Sequence, residues 1–400
     1  MKKRRRKLKR KYVIRRVVCG LLFILLIGFI GFNVYQKLDV KAILNKIKNE
    51  EKVPKEPPKP TKASISLVMV GDALIHQAMY DNMCVDGVYD FKPTLEIMKP
   101  IISSFDLAYY NQETILGGKD MGLSTYPRFN SPYEVGDAFI DAGFNLVSMA
   151  NNHTLDRGET ALNNSCNYWK QHKDVYTAGS YCSQEDRDEI KIAEKNGIKY
   201  AMLSYTTTTN GINIPGGKSY YVNVFDYDKA KADIAKYRDK VDVLMVAMHW
   251  GEEYTYTPIK QQRDIANFLA EQKVDIVIGA HPHVVEPIEK IGDTLVIYSL
   301  GNFVSAQQGI NKLTGLMASC VITKDFTTGK VTISDVEAEL LYTEKDYSKK
   351  LGFKVYPYTV LTDSILPNHE KYYNEFMNIV IGDRDFIRKG DYSGNTKQSS

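Results

Sequence analysis

The chain has 400 residues, 44% hydrophobic and 25% charged, a balance that describes an ordinary folded protein with a sizeable core in one large or two small domains. Its formal net charge is +4, but eleven of the 52 Lys and Arg fall in the first sixteen residues, leaving 41 against 48 acidic side chains. The remainder is acidic, which argues against nucleic acid as a partner of the folded part, because neutralising phosphates requires a basic surface.

Residues 1–16 form a basic tail, and residues 17–35 (VVCGLLFILLIGFIGFNVY) carry no formal charge. At 1.5 Å rise per residue that stretch just spans a ~30 Å hydrocarbon core, so it reads as one transmembrane helix. Positive residues stay on the cytoplasmic side, which predicts an N-in, single-pass cell-membrane protein with its C-terminal domain extracytoplasmic. The apolar run exceeds the ~7–15 residues of a signal-peptide core and no A-x-A-like site follows it, so an uncleaved anchor is expected. Residues 36–63 place Pro54, Pro57, Pro58 and Pro60 among charges, the composition of a stalk, partly polyproline II.

Folded sequence begins at SISLVMVGD, Ser64 to Asp72, a short apolar run ending in a carboxylate. Strand-like runs (DLAYYNQE, FNLVSMAN, IKYAMLSY, VDVLMVAMHW, VDIVIGAH, TLVIYSLGN) then alternate with helix-like stretches (LEIMKPIISS, EVGDAFIDAG, DKAKADIAKYRDK, IKQQRDIANFLAEQ). That alternation predicts an α/β domain over residues 64–345. A later hairpin with a Thr-Gly turn (MASCVITKDFTTGKVTISDVEAELLY) and an Asn196-Gly197 turn make its sheets mixed rather than purely parallel. Residues 346–400 read as a C-terminal extension, polar and frayed beyond about Asp383. Of five cysteines, only Cys166 and Cys182 lie close in sequence; with no C-x-x-C pair and no patterned spacing, the expectation is that they are unpaired.

Several strands end in metal-competent side chains: Asp72, Asn111 and Glu113, Asn151, Asn152 and His153, His249, and His281 and His283. Strand ends on one edge of an α/β sheet converge on a crevice, where ligands bind. Mixed imidazole and carboxylate ligands suit Mn²⁺, Zn²⁺ or Fe²⁺ better than Ca²⁺. If GAHPH runs extended, alternation puts His281 and His283 on one side, with Pro282 stiffening the backbone between them. His76 reads as an ordinary loop histidine, and Trp250 and Tyr254 equally as packing residues or polymer-contacting platforms. Arg128 is weighed as an anion contact against a plain surface arginine, Asn302 as a site-lining residue against a loop fastener, and Glu253 as a carboxylate orienting His249.

The ordered set Gly71-Asp72, Asn111-Gln112-Glu113, Asn151-Asn152-His153-x-x-Asp156-x-Gly158, His249-Trp250-Gly251-x-Glu253-Tyr254, Gly279-Ala280-His281-Pro282-His283-Val284 and Tyr298-Ser299-Leu300-Gly301-Asn302-Phe303 resembles the motifs of the CapA family of capsule and poly-γ-glutamate synthesis proteins. That family is in turn similar to calcineurin-like metallophosphoesterases. The resemblance implies a four-layer sandwich, two mixed β-sheets flanked by helices, holding one or two divalent metal ions. Asp72, Glu113, Asn152, His249, His281 and His283 would be the ligands, His153 a catalytic group beside the substrate, and Asp156 its support. Leu74 stands where the phosphoesterase pattern Asp-x-His has its histidine, and Glu113 replaces an aspartate.

The function implied is metal-dependent hydrolysis or transfer in the synthesis, attachment or export of an anionic cell-envelope polymer, with capsule-synthesis membrane proteins as partners. The alternative is a non-catalytic factor that binds the polymer during assembly and export.

Overall fold

The computed structural model describes residues 2–37, 40–50 and 61–392. They form two units, divided at residue 60. The first contains helix α1 (Lys2–Lys37), within which Lys9–Lys37 is long and apolar enough to cross a membrane, and helix α2 (Val40–Glu50). The expected stalk therefore begins as helix, and its proline-rich stretch lies outside the described residues.

The second unit is built on strands β1 (Lys62–Leu74), β2 (Leu107–Asn111), β3 (Leu146–Ser148), β4 (Tyr176–Ala178), β5 (Ala193–Lys195), β6 (Ile198–Thr206), β7 (Val243–His249), β8 (Ile276–Ala280), β9 (Ile288–Ile291), β10 (Thr294–Ile297), β11 (Asn302–Ser305), β12 (Thr314–Asp325), β13 (Val331–Lys345), β14 (Phe353–Pro357) and β15 (Ile387–Lys389). The first sheet runs β14-β13-β12-β1-β2-β3-β4, with β11 beside the end of β1 and β15 beside β13; the second runs β9-β10-β8-β7-β6-β5. Both are mixed: β1 is parallel to β2 and antiparallel to β12, while β6, β7, β8 and β10 are parallel and β5 and β9 run against them.

Alternation along the strands makes the sandwich. Ile65, Leu67 and Met69 of β1 and Leu107 and Tyr109 of β2 pack against Met202, Met245, Ala247, Ile276 and Ile278 of the second sheet, forming the inner core. The intervening Val68, Val70, Ala108 and Tyr110 face outward onto helices α3 (Tyr133–Asp141) and α4 (Gly158–Gln171) through Val135, Phe139 and Trp169. On the far side, Leu244, Val246, Met248 and Val277 meet α5 (Tyr227–Tyr237) and α6 (Lys260–Glu271) through Ile234, Ile265 and Leu269. Two mixed sheets face to face with helices on both outer surfaces are the four layers expected. The turns at Asn196-Gly197 and Gly329 join β5 to β6 and β12 to β13, each with its glycine at positive φ.

Four sequence expectations change. LEIMKPIISS is not one helix: its Leu95 ends a short helix Lys92–Leu95, a turn follows, and Lys99–Ile102 forms a second; Pro100 has no N–H to continue a helix and sits in the first turn of the second. The expected boundary at residue 345 does not divide the fold: β14 extends the first sheet, and helix α7 (His369–Ile381) inserts Phe376, Met377 and Val380 into the inner core. The segment beyond Asp383 is not frayed throughout, since Ile387–Lys389 pairs with Val336–Ala338; residues 393–400 lie outside the described residues. Cys166 and Cys182 form a disulfide, with Cα atoms 5.7 Å apart, tying α4 to the loop after β4.

Candidate metal centre

The C-terminal ends of β1, β2, β3, β7 and β8 open on the same edge of the sandwich, and the site is assembled there. At the end of β1 the chain passes against the Gly301 turn, where Asp72 N–H donates to Gly301 O at 2.9 Å. A Cβ at Gly71 would be driven into that same carbonyl, so only glycine lets β1 deliver Asp72 at this depth.

Asp72 and Glu113 are fully buried, as are His249, His281 and His283 to within a few per cent. Asn111 Nδ2 donates to Asp72 Oδ1 at 2.8 Å and meets His249 Nδ1 at 3.3 Å. His249 Nε2 lies 3.0 Å from Asn152 Oδ1, 3.1 Å from His281 Nδ1 and 3.5 Å from Glu113 Oε1. His283 Nδ1 lies 3.0 Å from Asn302 Oδ1 and 3.3 Å from Asp72 Oδ2, and its Nε2 is 3.7 Å from Glu113 Oε1. Ligand atoms of Asp72, Glu113 and His283 converge within 4.8 Å, and so do those of Glu113, His249 and His281. Glu113 belongs to both groups.

These residues fit divalent metal. Both Glu113 carboxylate oxygens are buried without a hydrogen-bond donor, a placement that a bound cation would satisfy. Burial and the neighbouring Asp72 charge push the Glu113 carboxyl up to about 8. Burial would also raise Asp72, but the hydrogen bond and charge of His283 hold it below its usual range. Burial drives His249 down to about 3 and His281 well below its ordinary value, leaving both as neutral donors. His283 goes the other way: burial opposes its charge, yet Glu113 and Asp72 raise it to about 9. Its imidazolium occupies the electrostatic role of a cation between two carboxylates.

His281 and His283 come together by a route the sequence reading did not foresee. GAHPH is not extended after Ala280: His281 has φ 99° and His283 φ 57°, both left-handed, and their rings lie 6.0 Å apart. Non-glycine residues at positive φ carry strain that the surroundings must hold.

His153 stands apart from the cluster's hydrogen bonds. Its Nδ1 lies 2.7 Å from Asp156 Oδ2, which also accepts from Phe129 N–H at 2.7 Å, and the Phe129 ring meets the imidazole edge-on at 4.7 Å. Of the remaining expected residues, Asn302 lines the site against His283. Asn151 does not: its side chain bonds Gln112 O and His153 N–H and so fastens the loop. Glu253 is exposed and lies near His281 and His283 rather than His249, whose Nδ1 is met by Asn111. Arg128 is exposed beside His153's loop. Trp250 is a packing residue, fully buried with Nε1–H donating to Tyr298 O, whereas Tyr254 sits at the rim. His76 packs edge-on against Phe129 at 5.4 Å.

Three contributors were not singled out from sequence. Ser148 Oγ donates to Asn111 Oδ1 at 2.7 Å and so fixes which face of that amide meets Asp72; Asn210 Oδ1 accepts from Asn152 Nδ2; Phe129 braces His153. The signal for Ser148 was present, a hydroxyl inside the otherwise apolar FNLVSMAN run.

Fold and site together define a four-layer α/β protein with a buried, metal-competent cluster of three imidazoles and two carboxylates. Residues 66–307, more than half of the chain, match the family described as bacterial capsule synthesis protein PGA_cap, and the chain belongs to that family. It is 32% identical over 175 residues to the PGA biosynthesis protein CapA of Bacillus subtilis (strain 168), a match covering 42% of this chain and 44% of that protein. To the capsule biosynthesis protein CapA of Bacillus anthracis it is 31% identical over 179 residues, 44% of this chain and 43% of that one. The matches thus span less than half the length of these relatives. Among solved structures, a phosphatase of Mycoplasma pneumoniae matches at 16% identity with TM-score 0.44, covering 70% of this chain and 93% of that one. A 5'-nucleotidase of Candida albicans SC5314 matches at 14% identity with TM-score 0.37, covering 66% and 52%.

Proposed function

We propose that this protein is a metal-dependent hydrolase or transferase, anchored in the cell membrane by α1 with its C-terminal domain outside, acting on an anionic capsule polymer such as poly-γ-glutamate. The observation that carries this reading is the buried Glu113 carboxylate, without a donor and shared by two ligand groups. Asp72, Glu113, Asn152, His249, His281 and His283 would hold one or two ions of Mn, Zn or Fe. Such an ion supplies a polarised substrate oxygen and a bound water with its pKa lowered toward ~7.

The chain's own residues do the rest. Asn111 and Asn302 hold Asp72, His249 and His283 in place by hydrogen bonds. Asp156 accepts from Nδ1 of His153, which leaves Nε2 to exchange a proton with the substrate or leaving group. The outside location is supported by the basic residues at the start of α1, ahead of its apolar stretch, and by the Cys166–Cys182 disulfide, a bond that persists in oxidising compartments. The family's capsule role favours partnership with membrane-bound polymer synthesis. A second reading, a non-catalytic factor holding a polymer end, is favoured by one observation: Leu74, in place of a histidine, is buried and offers no ligand.

The test uses the purified full chain in detergent. Metal content is measured beside turnover on γ-glutamate oligomers and on a chromogenic phosphodiester. His153→Ala should keep its metal and lose ~10²–10⁴-fold in rate, the usual contribution of a general acid or base, whereas His249→Ala should lose both. Absence of metal and of turnover in the parent protein would reject the enzyme in favour of the binding factor.

A further inference from the structure

A cavity of about 580 Å³ opens beside the His153–Asp156 pair, lined by Ser124, Arg128, Leu155, Asp156, Arg157, Gly158 and Ile212. One wall is the loop that carries Arg128, and it is unusually well braced for an exposed segment. Ser124 and Asn130 pair across its base, Ser124 Oγ donates to Arg128 O at 2.7 Å, and Arg128 N–H donates to Thr125 O. Asn130 Nδ2 reaches both Gly118 O and Gly122 O. Arg157 spends its guanidinium on the same loop, donating to Ser124 Oγ, Gly122 O and Met121 O. The residue after Arg128, Phe129, is bonded to Asp156 and packed on His153, so the loop is registered to the catalytic histidine.

All this holds in place a tip whose outward groups are unused. Tyr126 is 75% exposed, and the Arg128 guanidinium is exposed with no hydrogen bond or ion pair among the described residues. The two arginines outweigh the single Asp156 carboxylate in the lining, whose Oδ2 is engaged by His153 and Phe129 N–H while its Oδ1 is buried without a partner.

We propose that Arg128 forms an anion subsite: a carboxylate or phosphate of the substrate, one position away from the reacting bond, sits in this cavity and is held by the free guanidinium. A planar fork of donors suits either anion, and Tyr126 offers its ring to the backbone between charges. The subsite rests on the reading of His153 as the catalytic group, and it selects a substrate that is charged beside the bond attacked.

The test is binding by the full chain in detergent, loaded with Mn²⁺, using a γ-linked glutamate trimer, its methyl ester and inorganic phosphate as probes. Arg128→Gln should keep its metal content and bind the trimer, phosphate or both about tenfold more weakly, with Arg128→Lys recovering part of the loss. Loss for the trimer alone assigns a carboxylate, loss for phosphate alone a phosphate, and either supports the subsite. The ester should bind parent and variant alike. Unchanged affinity for both anions, equal weakening toward the ester, or no binding of either anion by the parent protein would overturn it. Because binding and not turnover is read, a failure of the hydrolase reading leaves this result interpretable.

Discussion

Metal binding here should expel protons, and the number can be worked from the site. In the metal-free chain Glu113 is raised to about 8 and His283 to about 9, and because the charge of Glu113 helps raise His283 the two titrate as a pair that holds one to two protons at pH 7. Those protons must leave before both groups can be ligands. One pKa unit corresponds to about 1.4 kcal/mol, so expelling them at pH 7 costs on the order of a few kcal/mol of apparent binding free energy. Affinity should therefore climb as pH rises from 6 to 8, by between roughly ten- and a hundredfold per unit, and level off above about 9. Calorimetric titration with Mn²⁺ in buffers of different ionisation enthalpy counts the protons directly: one to two per site at pH 7. Glu113→Gln removes one of them and a ligand shared by both groups, so the variant should release about one proton fewer and bind at least about 100-fold more weakly, beyond the 10–100-fold typical of a group one step behind the metal. Affinity independent of pH, with no proton release, would refute the reasoning.

Two further outcomes bear on stability. Reducing the disulfide or making Cys166→Ser with Cys182→Ser reopens a loop of sequence separation 16, which should cost about 3 kcal/mol by loop entropy and lower the thermal midpoint; an unchanged midpoint means the bridge adds nothing to the fold. Glu286, buried beside Gln262 with one oxygen unpartnered, is raised by burial to about 8. Between about 4.5 and 8 the folded chain keeps a proton there that the unfolded chain has lost, so stability falls as pH rises, by at most about 5 kcal/mol. Glu286→Gln should therefore gain midpoint at pH 8.5 and not at pH 5; equal gains at both would rule the mechanism out.

The candidate ligand set was legible because each strand that delivers one of its residues ends in a polar residue after a largely apolar run, and because the motifs keep their order. Its internal geometry was not. Periodicity describes regular backbone, and His281 and His283 depart from it at positive φ, held by tertiary contacts that no local window contains. Helix α4 went unseen for a related reason. GETALNNSCNYWKQ is rich in Asn, Ser and Cys, poor helix formers, and it is the burial of Ala161, Leu162, Ser165, Tyr168 and Trp169 along one face that stabilises it. The stretch beyond Asp383 read as polar because its core contribution is one buried side chain, Ile387, on one short strand.

The position of β1 sets the order in which the domain can be completed. Its parallel neighbour β2 follows within forty residues, but on its other side Lys62–Met69 pair with Ala318–Asp325, some 250 residues later in the chain. The first strand made is thus a central strand that waits with one edge open until almost the whole domain has been delivered. Long-range pairing of this kind slows folding and leaves unpaired backbone exposed in the interval. Lys62, Ser64 and Ser66 interrupt the apolar run at the start of that waiting edge, a pattern that keeps it from pairing with the wrong chain. A chain released between His283 and Thr314 would carry Asp72, Glu113 and all three imidazoles and still lack the strand that pairs with Lys62–Met69, the stretch leading to the first of them.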